Sequence, residues 1–369
     1  MDSASRPSNL AASAPPKMGE HSRVLLVFQL SPMSPKSVEA KRRHHYVWAK
    51  YLTRWGNGTE KVFYTTKNGK FAHDSVRAIA VDNYFYKVTT LSDRQIELIW
   101  HFSRQCPDHL HNRHMLFLAD FLRVQRAEEI YSLCLEKNAE IERQIHAMKC
   151  NALENLHAVH EGTALPVLSA LADDNLEVLE DKQHMVNFMM FLGHQFSRTK
   201  SFRDGVSRAQ SRRSPLEAEF GDLMSHAWWF VSFMLGMNVG FSLFADRHQA
   251  THALLINDTE TPFITSDQPV VNVHPDVSET EFVAPKNADF YYPISPRIAY
   301  MICESGRYKP GRNTVDESLA AELNAKVASQ AIVHIVGNSE GAIRPFKKYV
   351  GRRHKKAPHF GTSTPADGA

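Results

Sequence analysis

Residues 118–148 read LADFLRVQRAEEIYSLCLEKNAEIERQIHAM, a stretch in which apolar and charged residues recur at helical spacing. This periodicity predicts long helices, and helical patterns extend from Ser92, a good N-cap, to about residue 235. A basic polar interruption is expected at 200–215. Strand formers dominate on both sides of the helical block, so the order of elements is strands, helices and strands again.

The strand signals before the helical block are short and separated by turn residues. KVFYTT at 61–66 and KFAHD at 70–74 flank Lys67-Asn68-Gly69, which is typical of a hairpin turn. AIAVDNYFYKV at 78–88 adds another extended run. The N-terminal part of the fold is therefore predicted to be a small set of strands that includes one hairpin.

After residue 238 the sequence is again rich in strand formers. A last helix is predicted over 316–331, followed by the strand IVHIV at 332–336. The earlier extended runs lie at 239–245, 252–256, 262–266, 269–273, 290–295 and 297–303. The predicted fold class is α+β, with N-terminal strands and a hairpin, a central helical region, and C-terminal mixed strands with a late helix.

One apolar stretch has to be compared with a membrane span. Residues 227–245, AWWFVSFMLGMNVGFSLFA, contain no charged residue and are long enough to cross a bilayer as a helix. Gly236 and Asn238 interrupt the run, and its second half is rich in strand formers. We therefore expect a buried helix to about Leu235, a break, and a core strand, in preference to a span.

Composition divides the chain into three parts. Residues 1–40 are rich in Ser, Pro and Ala and are predicted to be a disordered extension. Residues 41–341 are predicted to form a single α+β domain with a helical middle. Residues 342–369 form a basic tail, for which a flexible solubilising end is favoured over a nucleic-acid contact.

Whole-chain charge and cysteine usage exclude several classes of protein. The 43 basic and 40 acidic side chains give a net charge of +3, which by itself indicates neither a nucleic-acid nor a membrane partner. The four cysteines are scattered and form no CxxC pair, which argues against a disulfide framework and a cysteine zinc site. Reduced thiols in the cytoplasm, without a membrane partner, are expected. The sequence gives no oligomeric state.

His44 and His45 stand directly before a short predicted helix, whose apolar face is formed by Trp48, Tyr51, Leu52 and Trp55. Neighbouring side chains point in different directions on a helix and to opposite faces of a strand, so the two rings rarely bind one metal. One ring is expected to face a cleft, in an acid–base, phosphate-binding or metal-binding role, while the other packs. A structural, hydrogen-bonded histidine is the alternative.

A second polar cluster is GHQFSRTKSFR, residues 193–203, which ends an apolar helix face. Gln195 lies at the edge of that face and Arg198 one step further round, so both are expected at the rim of a groove. Arg198, Lys200 and Arg203 could hold a phosphate or a carboxylate. The alternative is a solvated basic helix end, which the helix dipole favours.

A third cluster is PFITSDQPV, residues 262–270, where an apolar strand ends in Thr265, Ser266 and Asp267. Small polar side chains at strand ends commonly line sites. Asp267 could be a general base, a metal ligand or the partner of a histidine, or it could cap its own backbone in an Asx-turn.

The histidines of HLHNRH, at 109, 111 and 114, look like a fourth cluster, a metal patch. They match no fixed ligand spacing, and a chain with 20 histidines produces such groupings by chance. No Walker loop, GxGxxG, HExxH or nucleophile elbow is present. The sequence therefore leaves the cofactor unknown, and a divalent metal is optional.

Four short motifs, in order, carry a family resemblance: HHYVW at 44–48, QFSRT at 195–199, TSDQP at 265–269 and PISP at 293–296. Over residues 43 to 340 the chain resembles the bacterial proteins grouped as domain of unknown function 4238, which typically carry HHYVP, QxxRT, TSDxP and PxSP. Trp48 replaces the usual proline. The resemblance implies that the characteristic positions are His44, His45, Gln195, Arg198, Thr199, Ser266 and Asp267.

We expect these polar residues to converge on one site. An enzyme with this set would be a nuclease-like hydrolase of phosphoesters in nucleic acid or a nucleotide. His44 or His45 would act as acid or base, Arg198 would neutralise phosphoryl charge, and Asp267 would orient the histidine or bind a metal. The substrate contacts would come from Gln195, Thr199, Arg203, Thr265 and Ser266. The alternatives are a binding module for an anionic ligand or partner, in a defence or toxin system, and a purely structural polar network.

Overall fold

The computed structural model describes residues 39–209, 214–278 and 285–356. The predicted disordered extension, residues 1–40, lies almost wholly outside the described residues, and so does the second half of the predicted tail.

The strands of the described chain are short. They are β1 Arg43–His45, β2 Lys61–Thr65, β3 Phe71–Ser75, β4 Val81–Asn83, β5 Thr251–Ile256, β6 Thr265–Ser266, β7 Val271–Asn272, β8 Asp289–Pro293, β9 Ile298–Cys303, β10 Gly311–Thr314 and β11 Ile335–Gly337.

The α-helices fill most of the middle of the chain. They are α1 Ala49–Leu52, α2 Asp93–Ser103, α3 Asp108–Ser132, α4 Ala139–Ala172, α5 Lys182–Ser197, α6 Lys200–Ala209, α7 Pro215–His226, α8 Trp228–Ala245, α9 Glu317–Gln330, α10 Glu340–Ile343 and α11 Arg352–Lys356. Together with the strands they confirm the predicted α+β class.

The strands pair in three sheets. A five-stranded sheet has the order β10-β5-β9-β8-β7, a four-stranded sheet has the order β3-β2-β11-β6, and β1 pairs with β4. All of these pairs are antiparallel except β10 with β5. The predicted hairpin is confirmed, because β2 and β3 pair in register from Lys61 with Ser75 to Thr65 with Phe71.

The five-stranded sheet separates two apolar cores. Side chains alternate between its faces, so Leu254 and Tyr300 belong to a core shared with the long helices. Leu255 and Met301 belong to the other core, which Val327 of α9 helps to close. The sheet is therefore covered on both faces, and the central helices pack on one of them.

Two local predictions are wrong. Residues 239–245 are not a core strand after a break, because α8 continues as one helix to Ala245. Gly236 and Gly240 mark close helix packing instead of a turn. The polar interruption expected at 200–215 contains helix α6, in which Ser201 and Gly205 are buried and the charged residues are half-buried.

Helix α8 is long and apolar enough to cross a bilayer, judged by length and composition alone. In the fold, 56% of its 18-residue apolar window is buried among other parts of the chain. This burial agrees with the buried helix expected up to about Leu235, whereas the break and core strand expected after it are wrong.

Glycines determine how closely α5 and α8 approach each other. A Cβ atom on Gly193 would overlap the carbonyl oxygen of Gly236 and would lie 2.8 Å from the Cα atom of Gly240. Real Cβ atoms do not make such contacts with backbone, and a backbone cannot move aside as a flexible side chain can.

Gly193→Ala is therefore expected to lower the free energy of unfolding by about 1–3 kcal/mol, through overpacking between α5 and α8. The matched control is Gly162→Ala on α4, where an added Cβ meets nothing within 4 Å. That exposed helical position should gain up to about 1 kcal/mol. Urea unfolding of both variants checks the pair, and an equal response would contradict the packing described here.

Candidate functional site

The first two family motifs meet in the interior. The Gln195 Nε2 atom donates to the carbonyl oxygen of Tyr46 at 3.0 Å, and its Oε1 accepts from an Arg198 Nη atom at 2.6 Å. Gln195 is 1% exposed and Arg198 is 2% exposed. The prediction that both residues lie at the rim of a groove is therefore wrong, because the end of α5 is covered by the β1 segment.

Arg198 is the charged centre of this interior region. Its guanidinium donates to Glu161 Oε1 of α4 at 2.7 Å, and Tyr86 donates to the Arg198 carbonyl at 3.0 Å. Burial is the largest single influence and opposes the charge on Arg198, but Glu161, Tyr86 and Glu154 together outweigh it and raise the pKa of the guanidinium. The Arg198 Nε atom is buried and has no hydrogen-bond partner in the described chain, so one donor of a fixed cation remains unused.

Glu154 lies on the same face of α4 as Glu161, two helical turns earlier. Burial raises the pKa of its carboxyl to about 7, while the charge of Arg198 and the backbone N–H of His45 act in the opposite direction. Glu154 is partly exposed. A carboxylate with this pKa exchanges its proton near neutral pH and can work as a general base.

Three histidines extend the cluster towards α8. His157 and His160 come from α4 and His194 from α5, and one ring nitrogen of each lies within 4.8 Å of the others. The His160 and His194 rings stack with centroids 4.3 Å apart. The ring centroid of Phe233 of α8 lies 4.8 Å from that of His194. Within the described residues, this is the group of side chains close enough to share a metal ion.

The two adjacent histidines of β1 have different environments. His44 is fully buried, with Nε2 at 2.9 Å from the Lys41 carbonyl and Nδ1 accepting the Tyr86 N–H at 2.9 Å. Both ring nitrogens are thus engaged in structural contacts. His45 is half-buried, and its Nε2 atom lies 3.3 Å from the Arg77 carbonyl. Burial lowers the pKa of both rings, so both are neutral at pH 7.

The TSDQP motif is linked to the other motifs by hydrogen bonds. Thr265 contacts the Tyr51 hydroxyl at 2.7 Å, and that hydroxyl donates to the Pro293 carbonyl of PISP. Thr199 donates to the Gln268 side chain. Ser266 closes a local turn with the backbone of Gln268. These predicted substrate-binding residues are buried and make contacts within the protein.

Asp267 has a complete set of backbone partners. Its carboxylate accepts N–H groups from Ile332 at 2.9 Å, Val333 at 2.9 Å and His334 at 3.0 Å. The side chain is 2% exposed. In the described chain it shares no hydrogen bond with His45. The contacts connect β6 to the residues before β11, which is a bracing arrangement, and the predicted catalytic role of Asp267 gains no contact that supports it.

Arg203 lies in the wall of a separate cleft of about 440 Å³, to which Lys67, Lys200, Asp267 and His334 also contribute. Two of its cations are already paired, since Lys200 contacts Asp82 at 2.6 Å and Arg203 contacts Asp204 at 3.1 Å. Asp204 and Asp267 line the cleft together with Lys67, Lys200 and Arg203, so its walls carry one more basic side chain than acidic ones, not counting His334.

The HLHNRH histidines do not form a metal patch. The Ser103 hydroxyl lies 2.8 Å from the Nδ1 atom of His111 and 2.9 Å from that of His114, and His109 packs on Phe241. These rings brace α3 against neighbouring helices.

Sequence reasoning did not single out Glu154, His157, His160, Glu161 or His194. The signal was present in LENLHAVHEG, residues 153–162, where Glu154, His157 and Glu161 recur at helical spacing. It was hidden by the high histidine content of the chain. The position of His194 depends on the packing of α5 against α4, which no local pattern reveals.

The fold and this site define a class: an α+β protein whose central helices bury a cluster of histidines, glutamates and one arginine. The chain belongs to the family described as Protein of unknown function (DUF4238), which matches residues 43–341. No curated protein and no solved structure matches the chain.

Proposed function

We propose that the protein is a cytoplasmic hydrolase of phosphoesters in nucleic acid or a nucleotide, with its reacting groups at the partly open edge of the buried cluster. The observation that carries this proposal is the Glu154 carboxyl, which is partly exposed and lies near enough to the buried Arg198 guanidinium for the two charges to interact. Buried and oppositely charged groups at an accessible edge are characteristic of catalytic sites.

Glu154 is assigned the role of general base. It takes a proton from a water molecule as the water oxygen attacks phosphorus, and the bond from phosphorus to the leaving oxygen breaks. Solvent at the open edge returns a proton to the leaving oxygen. The pKa of about 7 of the Glu154 carboxyl suits this exchange at neutral pH.

Arg198 is assigned the stabilisation of negative charge that develops on the phosphoryl oxygens. Its Glu161 and Gln195 contacts hold the guanidinium in one orientation, which is the preorganisation that makes such stabilisation effective. His45, half-buried beside them, keeps its predicted acid–base role as part of the proposal, and Asp267 is not assigned one.

Glu154→Gln is expected to lower turnover at least about 100-fold, because the amide cannot accept the proton from water. The measurement is a screen of purified full-length protein with single-stranded RNA, single-stranded DNA, duplex DNA and nucleotides. Glu142→Gln, an exposed change on the same helix, is the matched control and should keep full turnover. Equal turnover in both variants, or none in the wild type, would remove the basis of the proposal.

A second candidate function is a binding module for an anionic ligand, and the cleft lined by Lys67, Lys200, Arg203 and His334 favours it. In that case Arg203→Gln weakens ligand-induced thermal stabilisation and no product forms. A role in a defence or toxin system belongs to this alternative.

A further inference from the structure

We propose that His157, His160 and His194 form a binding site for one divalent first-row transition cation, for which zinc is the probe. This inference is independent of the proposed hydrolysis, because it depends on the three imidazoles and its test does not measure turnover.

The geometry of the three rings is the first argument. Their nearest ligand atoms already lie within 4.8 Å of one another. Nitrogens that bind one zinc ion at about 2.0–2.1 Å in a tetrahedral array lie roughly 3.3–3.5 Å apart. The His160 and His194 rings are stacked, so binding requires both side chains to rotate until their in-plane lone pairs converge on the ion and the nitrogens reach that separation.

The unpartnered nitrogens are the second and independent argument. Nδ1 of His157, Nδ1 of His160 and both ring nitrogens of His194 are buried and have no hydrogen-bond partner in the described chain. His157 is 3% exposed and His194 is 2% exposed. Leaving buried polar atoms unsatisfied is costly, and a cation that accepts one lone pair from each ring would satisfy one nitrogen of each histidine.

The protonation state of the rings fits a cation. Burial lowers the pKa of all three imidazoles, to about 4 for His160. Each ring is therefore neutral at pH 7 and has a free lone pair, the form in which histidine binds metals. The rings are not a cluster of imidazolium charges that would repel a cation.

The surrounding charges permit a dication. Arg198 acts on all three rings with a positive charge. Glu161 neutralises it through the 2.7 Å ion pair, and Glu154 adds a second carboxylate. The positive charge of Arg198 is therefore largely offset by Glu161.

The ligand set selects the class of metal. Three imidazole nitrogens suit zinc and its transition-metal neighbours, whereas magnesium and calcium prefer oxygen ligands. Three protein ligands also leave a fourth coordination position for water or another ligand, which is the pattern of catalytic zinc sites and not of closed structural ones.

The test uses full-length protein that has been dialysed against a chelator. Zinc is titrated in competition with a coloured chelator, and native mass spectrometry counts the bound ions. The expected result is one zinc per chain, with a rise in melting temperature on addition of zinc. His194→Ala and His160→Gln should each weaken zinc binding at least about 100-fold.

His146→Gln is the matched control, because His146 is an exposed histidine on the same helix as His157 and His160. It should bind zinc as the wild type does. His160 is only partly buried, so His160→Gln keeps the test valid if His194→Ala does not fold, as circular dichroism would show. Absence of zinc binding, or binding that survives His160→Gln in a folded protein, would overturn the inference. The result of the turnover screen does not affect this test, because zinc binding is measured without turnover.

Discussion

Arg198→Met is expected to lower the free energy of unfolding by about 3–5 kcal/mol, one of the two largest effects that we predict. The change leaves Glu161 without its cation in a partly buried position and removes the donor that Gln195 Oε1 accepts. Breaking a buried ion pair from one side costs more than the pair itself contributes, because an uncompensated charge remains.

Urea unfolding at pH 7 measures this effect, and a double variant separates its cause. Arg198→Met combined with Glu161→Gln removes both charges and should recover part of the loss. Arg203→Met is the matched control, because the Arg203–Asp204 pair has side chains that are 38% and 43% exposed. Such a pair contributes about 0–1 kcal/mol. Similar losses in the two single variants would contradict the buried role of Arg198.

Asp267→Asn is expected to lower the free energy of unfolding by about 2–4 kcal/mol, which is the second large effect. The carboxylate accepts three backbone N–H groups, and the asparagine amide would turn donor hydrogens towards some of them. Charge-assisted hydrogen bonds contribute about 1.5–3 kcal/mol each, and buried N–H groups without an acceptor are costly.

The measurement is again urea unfolding, combined with hydrogen exchange at the amides of Ile332 to His334. Those amides should lose protection in the variant. Asp108→Asn serves as the control, because the Asp108 side chain is 85% exposed and its loss should change stability by about 0.5 kcal/mol or less. A fully stable Asp267→Asn protein that has lost turnover would instead support the catalytic role predicted from the sequence.

The elements that local patterns specify could be predicted. Ser92 does cap α2, through a reciprocal capping box with Gln95, and the turn at Lys67-Asn68-Gly69 does close a hairpin. Both depend on contacts between residues close in sequence, so a few neighbouring residues contain the whole sequence pattern that predicts them.

For helix α8, the prediction from local sequence was wrong. Gly236 and Asn238 resemble residues that end a helix. Gly236 is instead needed for close packing, because a Cβ atom at this position would lie 2.6 Å from His194 Nδ1. The glycine is required by a neighbouring helix that is distant in sequence, and a single sequence does not reveal that neighbour.

The candidate site was predictable only in part for the same reason. The motifs do contact one another, through Gln195 with Tyr46 and Thr199 with Gln268. Their hydrogen bonds, however, are mostly internal to the protein. Several groups with unpartnered ring nitrogens or shifted pKa values, namely Glu154, His157 and His160 on α4 and His194 on α5, lie outside the motifs, and their positions depend on packing between helices.

The measurement that tests the central claim most directly is the turnover of Glu154→Gln and Arg203→Gln, side by side, on the substrate that the wild type cleaves. The two changes separate the buried cluster from the open cleft, since Glu154 belongs to the first and Arg203 to the second. We predict that Glu154→Gln loses at least about 100-fold in kcat, whereas Arg203→Gln keeps kcat within a few-fold. Full turnover in Glu154→Gln, with loss in Arg203→Gln, would contradict the assignment and move the reaction to the cleft.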